Sequence, residues 1–223
     1  MISKFAVIVF PGSNCDNDAY FALSNYFNVD VDFVWHRESC LDDYDAILIP
    51  GGFSYGDYLR TGAIAQFSPI MNEVINKSKK GIPVIGICNG FQILLESELL
   101  PGALINNRDI KFLSKSVTLN VVSDNSIFSN KLSVGNEIKM PIAHKEGNYF
   151  ATDAIVNDLE QEDRIIFKYA APNPNGSKNN IAGIINKKRN VLGMMPHPER
   201  ACDKILGSDN GKLIFESMLG GNN

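Results

Sequence analysis

The feature that most constrains the fold is a series of short apolar runs, each of which gives way to glycine, proline or polar residues. The runs Phe5–Phe10, Ala46–Ile49 and Val84–Cys88 contain no charged side chain. Unbroken apolar runs of this length are typical of strands that are buried on both faces of a sheet. Helical patterns follow them over Asn17–Tyr26, Ala63–Lys77 and Phe91–Leu99, with Asp16 as the expected N-cap of the first. This alternation predicts a parallel sheet with right-handed crossovers.

The rest of the chain has a different pattern. Val29–Trp35 alternates apolar and acidic residues, which predicts a strand near an edge of the sheet. Five further strand-like runs span Val117–Val122, Glu137–Ile142, Ile165–Tyr169, Ile181–Ile185 and Val191–Met195, and a final helix is expected over Lys212–Leu219. Little helical pattern separates these runs, so several of them are expected to pair antiparallel. At 223 residues one mixed α/β domain is the first interpretation, and two small domains are the alternative.

Charge and cysteine usage narrow the function classes. The 21 basic and 25 acidic side chains give a net charge of −4, and the longest basic run, Lys187–Arg189, lies between two apolar runs as a hairpin turn does. A nucleic-acid partner needs a concentrated basic face, and a membrane span needs a far longer apolar run, so we expect neither. The four cysteines form no CxxC pair, which favours free thiols, a cytoplasmic location and no bound metal.

Gly86-Ile87-Cys88-Asn89-Gly90 is the sharpest local signal. It has the G-x-nucleophile-x-G form of a nucleophile elbow, at a point where a buried strand is expected to turn into a helix. The helix N-terminus favours a thiolate at Cys88, and the backbone N–H of Asn89 lies where an oxyanion donor is needed. The alternative is that Cys88 is an inert core thiol, as most buried cysteines are.

A cysteine nucleophile needs a base, and the chain has three histidines. His197 lies in Pro196-His197-Pro198-Glu199, where the two prolines favour an extended backbone. Residues i and i+2 of an extended segment project to the same side, so Glu199 would orient the imidazole of His197. Cys88, His197 and Glu199 therefore form a workable nucleophile, base and orienter, although His197 taken alone is typical of an exposed turn residue.

A glycine pair follows the third strand, in Pro50-Gly51-Gly52. Glycine lets a backbone approach a ligand closely, so Gly52 is a candidate for the second oxyanion N–H. The alternative is an ordinary turn at the end of a strand, because a lone glycine pair is a weak signal.

Together these motifs resemble the class I, triad-type glutamine amidotransferases. The longer strings resemble one branch of them, the amidotransferase subunits of phosphoribosylformylglycinamidine synthases. These strings cover residues 11–16, 51–60, 173–177 and 195–201. The resemblance implies a single flavodoxin-like domain over residues 1–223, with a mixed, mostly parallel sheet flanked by helices. It makes Cys88 the nucleophile, His197 the general base and then acid, Glu199 its orienter, Gly52 and Asn89 the oxyanion donors, and Gln92 a contact of the substrate glutamine.

The resemblance also implies partners. Ammonia released from L-glutamine would pass to a large synthetase subunit that uses ATP and Mg, with a small accessory subunit, and this chain itself would bind no cofactor. The family pattern His-Gly-Glu-Gly-Arg-Tyr reads here as 144-HKEGNY-149, so a basic charge is moved from the position of Asn148 to Lys145. Two alternatives stay open: the glutaminase of another class I system, and a non-catalytic protein that only binds partners.

Overall fold

The computed structural model describes residues 2–220. The strands are β1 (Lys4–Val9), β2 (Asp30–Trp35), β3 (Ala46–Ile49), β4 (Val84–Ile87), β5 (Ala103–Ile105), β6 (Leu113–Val121), β7 (Glu137–His144), β8 (Asn148–Phe150), β9 (Ile165–Tyr169), β10 (Ile181–Ile185) and β11 (Val191–Met194). The α-helices are α1 (Asp16–Tyr26), α2 (Pro69–Lys79), α3 (Asn89–Glu96), α4 (Asp153–Gln161) and α5 (Lys212–Leu219). None of the helices within this range is long and apolar enough to cross a membrane.

Within residues 2–220, nine strands form one sheet in the order β2-β1-β3-β4-β11-β10-β9-β6-β7. The five strands from β2 to β11 pair in parallel, and the pairings from β11 to β7 are antiparallel. This confirms the predicted α/β fold with a mixed sheet, the edge position of β2 and the antiparallel pairing of the second half. The predicted turn at Lys187–Arg189 joins the antiparallel strands β10 and β11.

The parallel half of the sheet positions the site. Every residue of β3, β4 and β11 is buried, because both faces of these central strands are covered. In a sheet of this kind the carboxyl ends of neighbouring parallel strands meet at one edge, where ligands bind. The Gly51–Gly52 loop follows β3, the elbow follows β4, and the segment with His197 follows β11. The three motifs are thus brought together by the topology.

Two local predictions were wrong. Asp16 is the first residue of α1, and Cys15 occupies the N-cap position without a side-chain cap bond. The helix expected over Ala63–Lys77 begins only at Pro69. A residue before proline is driven out of the helical region, and Ser68 is accordingly extended, at φ −65° and ψ 141°. Pro69 then begins the helix at a position where the missing N–H does no harm.

Three elements were not predicted. Helix α4 lies between β8 and β9, and β5 pairs with β8 in a separate two-stranded sheet. The side chain of Thr152 caps α4 by accepting a hydrogen bond from the N–H of Ile155. A single domain over residues 1–223 stays a prediction, and residues 1 and 221–223 lie outside the described part of the chain.

Candidate active site

Cys88 lies at the turn between β4 and α3. Its backbone adopts φ 52° and ψ −105°, a conformation that a non-glycine residue rarely takes. Its N–H donates to the carbonyl oxygen of Met194 in β11, at 2.8 Å, so the neighbouring strand holds the turn in place. Backbone strain of this kind is concentrated at functional sites, where the surrounding structure enforces it. The side chain of Cys88 is 5% exposed and reaches a cavity.

Gly90 lets α3 approach the sheet. A Cβ at this position would collide with the backbone oxygen of Ile49, at the end of β3. Backbone atoms cannot move aside as a flexible side chain can, so the elbow requires glycine here. The structure thereby gives a physical reason for the second glycine of the G-x-C-x-G string.

We expect Gly90→Ala to lower the free energy of unfolding by about 1–3 kcal/mol, the usual cost of overpacking a core. The measurement is the urea midpoint of the purified chain. Gly81→Ala is the control, because a Cβ at Gly81 meets open space and the substitution pays only for a positive φ. A Gly90→Ala protein as stable as the wild-type chain would contradict the close approach of α3 to β3.

His197 and Glu199 are in direct contact. The Nδ1 atom of His197 lies 2.6 Å from Oε1 of Glu199, and the two residues are 1% and 4% exposed. The backbone differs from the expectation: Pro198–Arg200 forms a short 3-10 turn rather than an extended segment. Proline fits the first position of such a turn, so Pro198 starts the turn instead of preventing it. The contact between His197 and Glu199 was predicted, but the extended backbone from which it was predicted was wrong.

The electrostatics of this pair make the imidazole of His197 a stronger base. Burial alone would lower the pKa of His197, but the Glu199 carboxylate, and then the nearby Cys88 sulfur, outweigh burial and raise it. The Nε2 atom of His197 is buried and has no hydrogen-bond partner among the described residues. With Nδ1 committed to Glu199, Nε2 is the atom available to exchange a proton with a thiol or a bound substrate.

Gly52 lines the same cavity as Cys88, and Asn89 is the next residue in the chain after Cys88. The loop bonds around Gly52 come from its neighbours: Cys15 N–H donates to Gly51 O, and Phe53 N–H donates to Gly12 O. Gly52 also forms an isolated antiparallel bridge with Ser13, and no partner of its N–H is found among the described residues. Asn89 is the first residue of α3, where a backbone N–H has no partner within the helix. The oxyanion roles of Gly52 and Asn89 stay predictions.

Gln92 lines the same cavity as Cys88, one turn further along α3. Its Oε1 accepts a hydrogen bond from Asn89 Nδ2 at 3.0 Å, and its Nε2 donates to the carbonyl oxygen of Glu146 at 2.6 Å. The Asn89 side chain in turn accepts from the N–H of Ser54. Gln92 thus fixes one wall of the cavity by joining the elbow to the segment after β7.

The cavity holds about 320 Å³, and the sequence reasoning missed most of its polar lining. The missed side chains are Asp57, Thr61, His144 and Glu146. These residues lie in or beside the two strings 51–60 and 144–149. The polar residues of these strings belong to no predicted helix or strand, and this was the signal that could have identified them. Of the three aromatic residues in the string 51–60, Phe53 lines the cavity, Tyr55 contacts His36 through its hydroxyl, and Tyr58 is exposed.

Cys15 is a second buried thiol beside the triad. Its sulfur and ligand atoms of His197 and Glu199 all lie within 4.8 Å of one another, a spacing that could hold a metal ion. Burial, followed by the Glu199 carboxylate, raises the pKa of Cys15, and Nη2 of Arg200 lies 3.0 Å from its sulfur. Glu199 and His197 already use Oε1 and Nδ1 on each other. The absence of a bound metal stays a prediction.

Comparison with known proteins decides the family. A family model described as a CobB/CobQ-like glutamine amidotransferase domain matches residues 3–213. The chain belongs to this family. Among curated proteins, this amidotransferase is 53% identical to the phosphoribosylformylglycinamidine synthase subunit PurQ of Koribacter versatilis, over 97% of each chain.

Solved structures agree with this assignment. A chain of the PurLQS structure from Thermotoga maritima matches with a TM-score of 0.91 and 43% identity, over 99% of both chains. The glutaminase domain of Trypanosoma brucei CTPS, solved with bound acivicin, matches with a TM-score of 0.60 at 14% identity, over 99% of this chain and 95% of that one. The second likeness shows the fold alone, whereas the first extends to the sequence of the whole amidotransferase.

Proposed function

We propose that this chain is the glutaminase subunit of a phosphoribosylformylglycinamidine synthase in purine biosynthesis. The observation that carries the proposal is the His197–Glu199 pair placed beside the Cys88 elbow, in a chain that is 53% identical, over nearly its whole length, to a PurQ protein. A protein that only bound partners would have no need to keep a strained cysteine and a buried, charge-paired histidine together.

Each residue of the site has a role in a step of glutamine hydrolysis. His197 Nε2 takes the proton of the Cys88 thiol, and the sulfur attacks the side-chain carboxamide carbon of L-glutamine. The N–H groups of Gly52 and Asn89 hold the resulting oxyanion. His197 returns its proton to the departing nitrogen, which leaves as ammonia, and a glutamyl thioester remains on Cys88.

Water then clears the thioester. His197 accepts a proton from the attacking water, the carbon–sulfur bond breaks, and glutamate leaves with Cys88 restored. Glu199 keeps the imidazole oriented and stabilises its charged form in both halves of the cycle. Gln92 holds the cavity wall against which the substrate lies.

The partners follow from the same proposal. Ammonia passes to a large synthetase subunit, which uses ATP and Mg to convert formylglycinamide ribonucleotide to formylglycinamidine ribonucleotide, and a small accessory subunit completes the complex. The structural relative from a PurLQS structure supports such an assembly. This chain binds no cofactor or metal of its own, contacts neither nucleic acid nor membrane, and works in the cytoplasm.

Glutamate release tests the proposal. The chain is combined with its synthetase and accessory partners, and glutamate formed from L-glutamine is measured with and without formylglycinamide ribonucleotide plus ATP. We expect strong stimulation by that pair. Release that ignores the pair would indicate the glutaminase of another synthetase, and no release at all would favour a partner-binding protein without catalysis.

A further inference from the structure

Glu199 uses only one of its two carboxylate oxygens. Oε1 lies 2.6 Å from Nδ1 of His197, whereas Oε2 is buried and has no hydrogen-bond partner among the described residues. An ionised carboxylate can accept several hydrogen bonds, and a buried oxygen that accepts none has lost its hydration without compensation. Something other than His197 must therefore hold this carboxylate in place before the imidazole takes up a proton.

Arg200 is the residue after Glu199, in the 3-10 turn Pro198–Arg200. Its Nε donates to Oδ2 of Asp18 at 2.8 Å, and its Nη2 donates to Sγ of Cys15 at 3.0 Å. Asp18 lies in the first turn of α1, and Cys15 is the N-cap of this helix. The guanidinium of Arg200 thus joins the start of α1 to the turn that carries Glu199, and we call Cys15, Asp18 and Arg200 the α1 clamp.

Cys15 stands where a helix normally has a capping side chain. Ser, Thr, Asp and Asn are preferred at an N-cap because they accept an N–H of the first turn, which stabilises the helix by about 1 kcal/mol. Cys15 makes no such bond. Its sulfur contacts Arg200 instead, and it lies within 4.8 Å of ligand atoms of His197 and Glu199. Departures from a local rule of this kind are expected where a residue serves the functional site.

The Cys15 thiol is kept neutral and fixed. Burial, and then the Glu199 carboxylate, raise its pKa, and the opposing effect of Arg200 is smaller. The S–H donates to Oδ1 of Asn14 at 3.3 Å, and the backbone N–H of Cys15 donates to the carbonyl oxygen of Gly51 at 3.2 Å. A neutral thiol is a poor nucleophile and adds no negative charge beside Glu199. Cys15 therefore serves as an acceptor for Arg200 rather than as a rival of the catalytic cysteine.

Arg200 stands between two cavities. With Cys88 and His197 it lines a cavity of about 190 Å³, and with Asp18 and Glu199 it lines a groove of about 440 Å³. A shorter side chain at this position would join the two spaces and admit water to the Glu199 carboxylate. Water would weaken the action of Glu199 on His197, because two charges attract each other less in a medium of high dielectric constant. Arg200 also interacts electrostatically with the Glu199 carboxylate.

We propose that the α1 clamp positions the catalytic triad. Arg200 fixes the turn so that Glu199 faces His197, and Cys15 and Asp18 hold the guanidinium in the orientation that does this. The permanent positive charge of Arg200 compensates the buried carboxylate while His197 is neutral. All three residues are positioning residues that act through Glu199. This inference rests on the proposed function and adds to it the residues that keep the base ready.

Arg200→Gln tests the clamp in the reconstituted complex. We expect kcat for glutamate release to fall about 10- to 100-fold, as for a lost hydrogen bond between charged groups, with a change of less than about threefold in the KM for L-glutamine. Arg200→Lys keeps the charge but cannot reach Asp18 and Cys15 together, so it should restore only part of the rate. Arg37→Gln, a change at an exposed arginine after β2, is the matched control.

Two variants of Cys15 test its role as an acceptor. Cys15→Ala leaves Nη2 of Arg200 without this partner, and kcat should fall about 3- to 10-fold, as for a lost neutral hydrogen bond. Cys15→Ser keeps an acceptor and should restore most of the rate. In a complex that already carries Arg200→Gln, Cys15→Ala should cost little more, because the two residues act as one unit. Cys40→Ala is the control at an exposed cysteine.

The decisive measurement uses Glu199→Gln as a background. If the clamp acts through Glu199, then Arg200→Gln should lower kcat by less than about threefold in a complex that carries Glu199→Gln, because both changes remove one interaction. A packing defect, or a direct contact of Arg200 with the substrate, would cost the full factor in both backgrounds. Alkylation of Cys88 by iodoacetamide is the second readout, and Arg200→Gln should slow it only where Glu199 is present.

The outcomes separate this inference from the proposed function. A folded Arg200→Gln complex with wild-type kcat, or a loss of the same size with and without Glu199, would overturn the α1 clamp, while glutamate release by the wild-type complex would still support the function. If Arg200→Gln does not fold, Asp18→Asn replaces it, with an expected loss of about 3- to 10-fold and the same dependence on Glu199. A wild-type complex that releases no glutamate would overturn both.

Discussion

Replacing Cys88 by alanine is expected to abolish glutamine-dependent synthesis while ammonia-dependent synthesis continues. Without the sulfur no glutamyl thioester forms, so the loss should reach at least about 10⁴-fold, as for removal of a catalytic nucleophile elsewhere. Free ammonia enters after that step, so its use by the synthetase should be nearly unchanged. The measurement is formylglycinamidine ribonucleotide formation by the reconstituted complex, with either nitrogen source.

Thiol controls make the result specific. Cys40→Ala removes an exposed cysteine and should retain wild-type glutaminase activity. Cys88→Ser keeps a side chain of similar shape at the strained turn, so its loss of activity would come from chemistry rather than from collapse of the elbow. Equal loss of both nitrogen sources in Cys88→Ala would place Cys88 outside glutamine hydrolysis.

Much of the fold could be predicted because its central strands are buried on both faces. Phe5–Phe10 and Val84–Cys88 have no polar alternation, and that pattern alone predicts interior strands. Helix α4 escaped prediction because acidic and amide residues dominate it, and just Val156 and Leu159 are buried. Strand β5 has three residues and no fully buried one, so its pairing with β8 left no readable pattern.

The candidate site was also predicted only in part. Cys88, His197 and Glu199 could be predicted because each belongs to a short string whose spacing reflects chemistry. Asp57 and His144 have no such spacing: one lies on a strained loop after β3 and the other ends β7. They meet only through tertiary folding around Cys88, and their unpaired atoms become visible only when the whole hydrogen-bond network is known.

Glu199→Gln should lower glutaminase kcat by roughly 10²- to 10⁴-fold, the range expected when the orienting carboxylate of a triad loses its charge. The amide still fits the buried site beside His197, but it carries no charge and no longer opposes the lowering of the His197 pKa by burial. The pKa of His197 should therefore fall, and the imidazole should become a weaker acceptor for a proton from Cys88.

The rate of Cys88 alkylation by iodoacetamide at neutral pH reports the proton transfer from Cys88 to His197, because the thiolate is the reactive form. We expect Glu199→Gln to slow alkylation markedly, Glu199→Asp to restore part of the rate, and Glu216→Gln, an exposed change on α5, to leave it at the wild-type value. Unchanged alkylation together with lost turnover would mean that Glu199 orients His197 without setting its charge. Unchanged alkylation and unchanged turnover would remove Glu199 from the triad, because a 2.6 Å contact with the base would then have no chemical consequence.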